Sequence, residues 1–185
     1  LLYFIFIGAG FMLIQMSLIQ RFVLLLGHPT YALTVIIFSM LVWSGLGSYF
    51  SRRVVQFDDS RLQGVLAWIA VLAAVMAFAL PWLASAAVAW PLALRATLSV
   101  LLIAPLGFAM GMPFPCGLAR LEERHKPSVR WAWSLNAAAS VLGSATAIFL
   151  AIYLGLRETM MIGAAMYGAA FVSVRTGRPT DGTIR

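Results

Sequence analysis

The sequence predicts an all-α polytopic membrane protein, a bundle of about six transmembrane helices, and three observations carry that prediction. The 185 residues are 62% hydrophobic and 10% charged, whereas soluble domains are about 45–50% apolar and about 25% charged. The mean hydropathy is +0.94. A bilayer core about 30 Å thick needs about 20 apolar residues per helix, and six apolar runs of about that length follow one another along the chain.

The apolar runs define a six-helix transmembrane domain over residues 1–175. The predicted spans are residues 1–26, 31–50, 62–83, 91–111, 131–154 and 157–174, and a polar tail covers residues 176–185. The first run stops at Gly27-His28-Pro29, because Gly commonly ends a helix and Pro cannot continue one. The third run ends near Pro81, and Gly155 separates the last two runs.

A proline-rich stretch interrupts the chain after the fourth run. Met112–Gly117 contains Pro113 and Pro115, which remove backbone hydrogen-bond donors. We therefore expect this stretch not to form a regular helix, and to lie at a membrane edge or to line a cavity.

Small residues predict which helices pack together, since helices in a bilayer associate through close contacts of small side chains. The fourth run has Gly107 and Gly111 at G-x-x-x-G spacing, the fifth is rich in small residues over 137–147, and the sixth has Ala164 and Gly168. The pattern predicts that these three helices pack tightly against one another.

Charge indicates orientation rather than a nucleic-acid partner. The formal net charge is +7, and Lys and Arg collect in the cytoplasmic loops of membrane proteins. Six alternating crossings place ten of the 13 basic residues on one side, namely Arg52, Arg53, Arg61, Arg120, Arg124, Lys126, Arg130, Arg175, Arg178 and Arg185. The bias predicts two cytoplasmic termini in a bacterial inner membrane. The chain begins at Leu1 without a methionine, so we expect it to be part of a longer polypeptide.

Polar side chains within or at the edge of the apolar runs are the candidate functional residues, because such groups are costly unless they face protein or water. These candidates are Gln15, Gln20, Arg21, His28, Asn136 and Glu158. Arg21 is expected at the interface or paired with Glu158. Gln15 and Asn136 either bridge helices or contact a substrate, and His28 is either an exposed turn residue or part of a proton relay.

The sequence contains no recognisable catalytic machinery. It shows no phosphate-binding glycine loop, nucleophile elbow or zinc-binding helix. Cys116 is the only cysteine and has no neighbouring Cys or His cluster. We predict no catalytic residue, no cofactor and no metal site.

Two sets of segments resemble the membrane portion of bacterial spermidine synthase-like fusion proteins. The first set is 10–15, 18–22, 26–32 and 44–48, and the second is 105–108, 110–115 and 131–136. In that family an aminopropyltransferase-like domain is joined to helical blocks similar to half of a major facilitator transporter. The family tends to carry Glu where this chain has Gln15, and its soluble catalytic motifs have no match here.

The resemblance implies two functions for this chain as an integral membrane module. It anchors a cytoplasmic aminopropyltransferase-like domain, or it moves a small cationic or lipid-like compound across the bilayer. Six helices are half of a facilitator-type bundle, so a second six-helix block, a second copy or other membrane subunits are expected partners. The alternative is a non-catalytic structural subunit of a larger membrane complex.

Overall fold

The computed structural model describes residues 1–55, 58–87 and 89–176, and within these ranges all regular secondary structure is helical. The helices are α1 (Leu2–Leu26), α2 (Pro29–Val55), α3 (Asp59–Ala87), α4 (Leu92–Met110), α5 (Pro113–His125), α6 (Ser128–Tyr153) and α7 (Leu156–Thr176). Five segments are long and apolar enough to cross a membrane: α1, α2, α3, the segment Leu92–His125 that contains α4 and α5, and α6. The prediction of an all-helical membrane protein is confirmed. Beyond Thr176, the predicted tail lies outside the described residues.

The sixth predicted span, 157–174, lies within α7, which is amphipathic rather than uniformly apolar. Its 21 residues correspond to about 30 Å of helix. It packs along α1 and α3 and buries Met160, Ala164 and Tyr167 there. α7 is less apolar than the five segments above.

α1 is the innermost helix of the bundle. It contacts every other helix, and its most extensive contacts are with α6 and α7. Ile14, Leu18 and Phe22 are fully buried along its length. The remaining helices are therefore arranged around α1.

Glycines allow α1 to approach α6 and α7 at backbone distance. A Cβ atom on Gly8 would lie 2.7 Å from the Asn136 carbonyl oxygen of α6. On the α7 side, a Cβ atom on Gly163 would lie 2.7 Å from Ile14 Cγ1. Each contact leaves no room for a side chain, so α1 lies between two close helix crossings.

A second close pair is formed by α2 and α4. A Cβ atom on Gly47 would overlap the Phe108 carbonyl oxygen, and one on Gly111 would overlap the Ser44 carbonyl oxygen. Gly107 of the predicted G-x-x-x-G motif also faces α2, with Trp43 Cβ 3.1 Å from its would-be Cβ.

The predicted packing of the fourth apolar run against the fifth and sixth is wrong, whereas the fifth and sixth runs, α6 and α7, do contact each other. The glycines of α4 contact α2, the small residues of α6 contact α1, and α4 and α6 have no extensive contact among the described residues. Ala164 is buried, but Gly168 has no neighbouring atom within 4 Å of its would-be Cβ. Small-residue spacing marks a close-packing face without naming the helix that covers it.

The expectation that Met112–Gly117 is not a regular helix is also wrong. α4 ends at Met110, a turn follows, and α5 begins at Pro113. Pro113 and Pro115 fall in the first turn of α5, where the backbone N–H groups have no intrahelical acceptor and proline costs little. The Tyr3 hydroxyl donates a hydrogen bond to the Pro113 carbonyl oxygen at 2.8 Å and ties this turn to α1.

Other helix boundaries differ from expectation at proline and agree at glycine. α3 continues through Pro81 to Ala87, as apolar helices in membranes tolerate internal proline. α1 ends at Gly27, whose φ of 80° is left-handed, and Gly155 has a φ of 105° before α7.

The Gly47 contact provides a test of the α2–α4 packing. Gly47→Ala should lower the free energy of unfolding by about 1–3 kcal/mol, because the added methyl group meets the Phe108 backbone. Gly45→Ala is the matched control on the same helix: its would-be Cβ has open space, and Ala is a better helix former by about 1 kcal/mol. Denaturation of both variants in detergent measures the difference, and equal stabilities would contradict this packing.

Candidate functional site

An open groove of about 460 Å³ lies between the helices of the bundle. It lies between the close pair α1–α6 and the close pair α2–α4, and the α4–α5 turn closes one end. On α1 it extends from Ile7 to Met12, about 8–15 Å along the helix from its start. The expectation that the proline-rich stretch lines a cavity is confirmed, since Pro113, Phe114 and Pro115 form part of the wall.

Four short polar side chains face each other across this groove. Ser44 and Ser48 line it from α2, and Asn136 and Ser140 line it from α6. Each pair is spaced by four residues, which places its members on one helix face. The rest of the wall is apolar or aromatic, including Phe11, Leu41 and Phe114.

Asn136 and Ser140 also fasten α6 to α1. Asn136 Nδ2 donates to the Phe4 carbonyl oxygen at 3.0 Å. The Ser140 hydroxyl donates to the Asn136 carbonyl oxygen at 2.8 Å and lies 3.5 Å from the Gly8 carbonyl oxygen. Asn136 therefore bridges two helices, as one of its two predicted roles requires, and it also lines the groove.

No charged side chain lines the groove. The acidic residues that the structure describes are Asp58 and Asp59 at the start of α3, Glu122 and Glu123 on α5, and Glu158 in the first turn of α7. All of them are at helix ends or on α5. The groove is consequently a neutral, mixed polar and apolar surface.

Gln15 extends the groove face of α1 by one turn. It follows Phe11 by four residues and Met12 by three, and is half-buried. It does not itself line the groove. Gln20 is half-buried further along α1 and is likewise not a lining residue.

Arg21 and Glu158 lie at the other end of the bundle and do not pair with each other. Glu158 Oε1 accepts hydrogen bonds from Arg157 Nη2 at 2.6 Å and Nε at 2.9 Å. Arg21 lines a small hollow with Leu25 and Leu80, and its Nε is buried without a hydrogen-bond partner. The candidate residues thus occupy separate places, and among them only Asn136 reaches the groove.

His28 lies in the turn between α1 and α2. It is exposed, and its Nδ1 accepts a hydrogen bond from the Thr30 N–H at 3.2 Å. His28 is therefore an exposed turn residue whose side chain bonds the backbone at the start of α2.

Sequence reasoning missed two sets of contacts. The first is the serine lining of the groove, for which the four-residue spacing of Ser44 and Ser48 on an apolar helix was an available signal. The second consists of long-range arginine contacts. Arg95 Nη1 donates to the Leu25 carbonyl oxygen at 2.8 Å, and Arg120 Nη1 lies 2.9 Å from Asp59 Oδ1. The sequence signal for these was only the presence of arginine near a predicted helix end.

No protein-family model matches this chain, and no curated protein or solved structure is significantly similar to it. The helices and the groove define its class on their own: it is a polytopic helical membrane protein with a neutral groove between two close helix pairs.

Replacing the Asn136 side chain tests its bridging role. Asn136→Ala should lower the free energy of unfolding by about 0.6–1.7 kcal/mol, because the bond to the Phe4 carbonyl is lost within the bilayer. Ser134→Ala is the control on the same helix, since Ser134 is exposed and bonds only its own helix at Arg130. Denaturation in detergent should show a lower stability for Asn136→Ala than for Ser134→Ala. Equal stabilities would show that the Asn136 bond does not hold α6 to α1.

Proposed function

We propose that this chain is the integral membrane module of a spermidine synthase-like protein, and that its groove admits a small uncharged or lipid-like molecule. The family part of the proposal rests on the sequence resemblance, and the ligand part is supported by the 460 Å³ groove lined by Ser44, Ser48, Asn136 and Ser140. Binding sites for small molecules are typically concave, mostly apolar and furnished with a few polar groups.

The neutral lining favours an uncharged ligand over a polyamine. A cation inside a bilayer needs a carboxylate or several oriented carbonyl groups to offset its lost hydration. No carboxylate among the described residues lines the groove. Of the two substrate classes that the family resemblance suggests, the lipid-like one fits this surface better.

The helix pairing supports a half-facilitator architecture. We number the six crossings in order as α1, α2, α3, α4, α6 and α7. A shift of three crossings then exchanges the pair α1–α6 with the pair α2–α4 and maps α3–α7 onto itself. These are three of the four most extensive pairs in the bundle; the fourth, α1–α7, maps onto α3–α4, which is much less extensive. An exchange of helix pairs is expected of the inverted three-helix repeats within facilitator halves, and the pairing follows it in part.

Apolar faces beside the groove are suited to lipid or to a second helical block. Leu41, Leu46 and Tyr49 are exposed on α2, and Val141, Leu142 and Phe149 on α6. A second six-helix block or a second copy of the chain seated here would close the groove. A cytoplasmic aminopropyltransferase-like domain would attach at the end rich in Lys and Arg, under the positive-inside rule for a bacterial inner membrane.

The exposure of α6 also favours a second candidate, a structural subunit without a substrate. In that case a neighbouring subunit would pack into the groove and leave it dry. Water access to the groove therefore separates the two functions.

Cysteine labelling in native membranes measures that access. In a Cys116→Ala background, Ser140→Cys should react with a small, charged thiol reagent, because Ser140 lines the groove. Val141→Cys is the matched control: the Val141 side chain is 69% exposed and does not line the groove, so lipid should protect a cysteine at this position. Addition of a lipid-like ligand should slow the labelling of Ser140→Cys.

Two results would contradict the proposal. A Ser140→Cys protein that remains unlabelled in native membranes, yet reacts after the complex is dissociated, would indicate a packed subunit interface. Protection of Ser140→Cys by spermidine, with no effect of a lipid-like compound, would reverse the assignment of ligand class.

A further inference from the structure

A second hollow lies at the end of the bundle that carries most of the positive charge. It has a volume of about 150 Å³ and is formed where α1, α3, α5 and α7 meet. Its wall includes Tyr3, Asp59, Arg120, Arg124, Leu62 and Val174. We call it the basic pocket. It is separate from the groove, with which it shares no lining residue.

Arg120 is the central charged group of this pocket. Its side chain is 13% exposed, and one nitrogen, Nη1, pairs with Asp59 Oδ1 at 2.9 Å. Its Nε and Nη2 are buried and have no hydrogen-bond partner. Buried guanidinium donors without an acceptor are costly. Both nitrogens are enclosed by protein atoms, so an anion in the pocket would reach them only after the Arg120 side chain turns toward it.

The net positive charge of the pocket wall favours an anionic ligand. Two guanidinium groups, Arg120 and Arg124, face the pocket against one carboxylate, Asp59. Arg52 lies on the far side of Arg120, where both line a smaller hollow beside Cys116. The adjacent N–H groups of a guanidinium can donate to two oxygens of one phosphate or carboxylate at the same time.

The location and the apolar wall indicate where the anion comes from. Tyr3, Asp59 and Val174 lie at or within a few residues of the ends of α1, α3 and α7, so the pocket is at the edge of the membrane-spanning segments. Leu62, Leu121 and Val174 supply apolar surface beside the arginines. A lipid phosphate presents charge and hydrocarbon side by side, whereas free phosphate presents charge alone. Basic pockets between helices at this level bind anionic headgroups in other membrane proteins.

We propose that the basic pocket binds the phosphate group of an anionic phospholipid, held by Arg120 and Arg124 while its glycerol end lies against Leu62 and Val174. The pocket volume is roughly ten times the minimum that admits one water molecule, which is enough for a tetrahedral phosphate. Asp59 competes with the lipid for the Arg120 guanidinium and limits how tightly it is held.

Native mass spectrometry in mild detergent tests this with phosphatidylglycerol as the probe and phosphatidylcholine as the neutral comparison. Arg120→Gln should lower the fraction of chain that retains phosphatidylglycerol about tenfold, and Arg124→Gln should lower it less, because Arg124 is exposed. Arg53→Gln is the control with the same charge change: Arg53 is exposed at this end, over the Phe50 ring, and does not line the pocket. Asp59→Asn should raise retention, since it removes the competing carboxylate.

Each of these measurements has a result that would overturn the proposed lipid site. Equal loss of phosphatidylglycerol in Arg53→Gln and Arg120→Gln would indicate general surface charge and overturn the proposal. Displacement of the lipid by millimolar inorganic phosphate would assign the pocket to free phosphate instead. If Arg120→Gln fails to fold, the Asp59→Asn result still decides: increased retention supports the lipid site, and unchanged or reduced retention rejects it.

Discussion

The close approach of α1 to its neighbours is the constraint on which the rest of the structure depends. Lipid is as apolar as a leucine side chain, so apolar contact alone does not hold helices together in a bilayer, and close packing with interhelical hydrogen bonds must do so. Gly8 and Gly143 bring α1 against α6, while Gly163 lets Ile14 of α1 reach the backbone of α7. The amide of Asn136 then adds a directional bond at one of these crossings.

The groove follows from this arrangement. α6 is held to α1 at one crossing and α4 is held to α2 at another, and α4 and α6 have no extensive contact among the described residues. The space between the two pairs therefore stays open, and the serines of α2 face the Asn136–Ser140 edge of α6. The same residues that fix the helix contacts also form the polar part of the wall.

Sequence reasoning predicted the helical membrane class because hydropathy and span length depend on composition alone. It placed helix ends well where glycine supplies a left-handed conformation, as at Gly27 and Gly155. It failed at Pro113 because the effect of proline depends on its position within a helix, and a first-turn proline is compatible with helix. It also assigned Gly107 and Gly111 to the wrong partner helix, since the spacing of small residues carries no information about the opposing surface. Asn136 was named as a candidate because an amide in an apolar run stands out. Ser44 and Ser48 are common residues in an apolar helix, and only the packing of the helices shows that they line the groove.

Disulfide trapping in native membranes tests the central position of α1 most directly. A Cβ atom on Gly143 would lie 3.3 Å from Met12 Cβ, close to the separation of about 3.5–4.5 Å found in disulfides. With Cys116 replaced by Ala, the pair Met12→Cys and Gly143→Cys should cross-link under mild oxidation, and the pair Met12→Cys and Val141→Cys should not. A cross-link between Gly107→Cys and Gly143→Cys, with none between positions 12 and 143, would contradict the account and place α4 rather than α1 against α6.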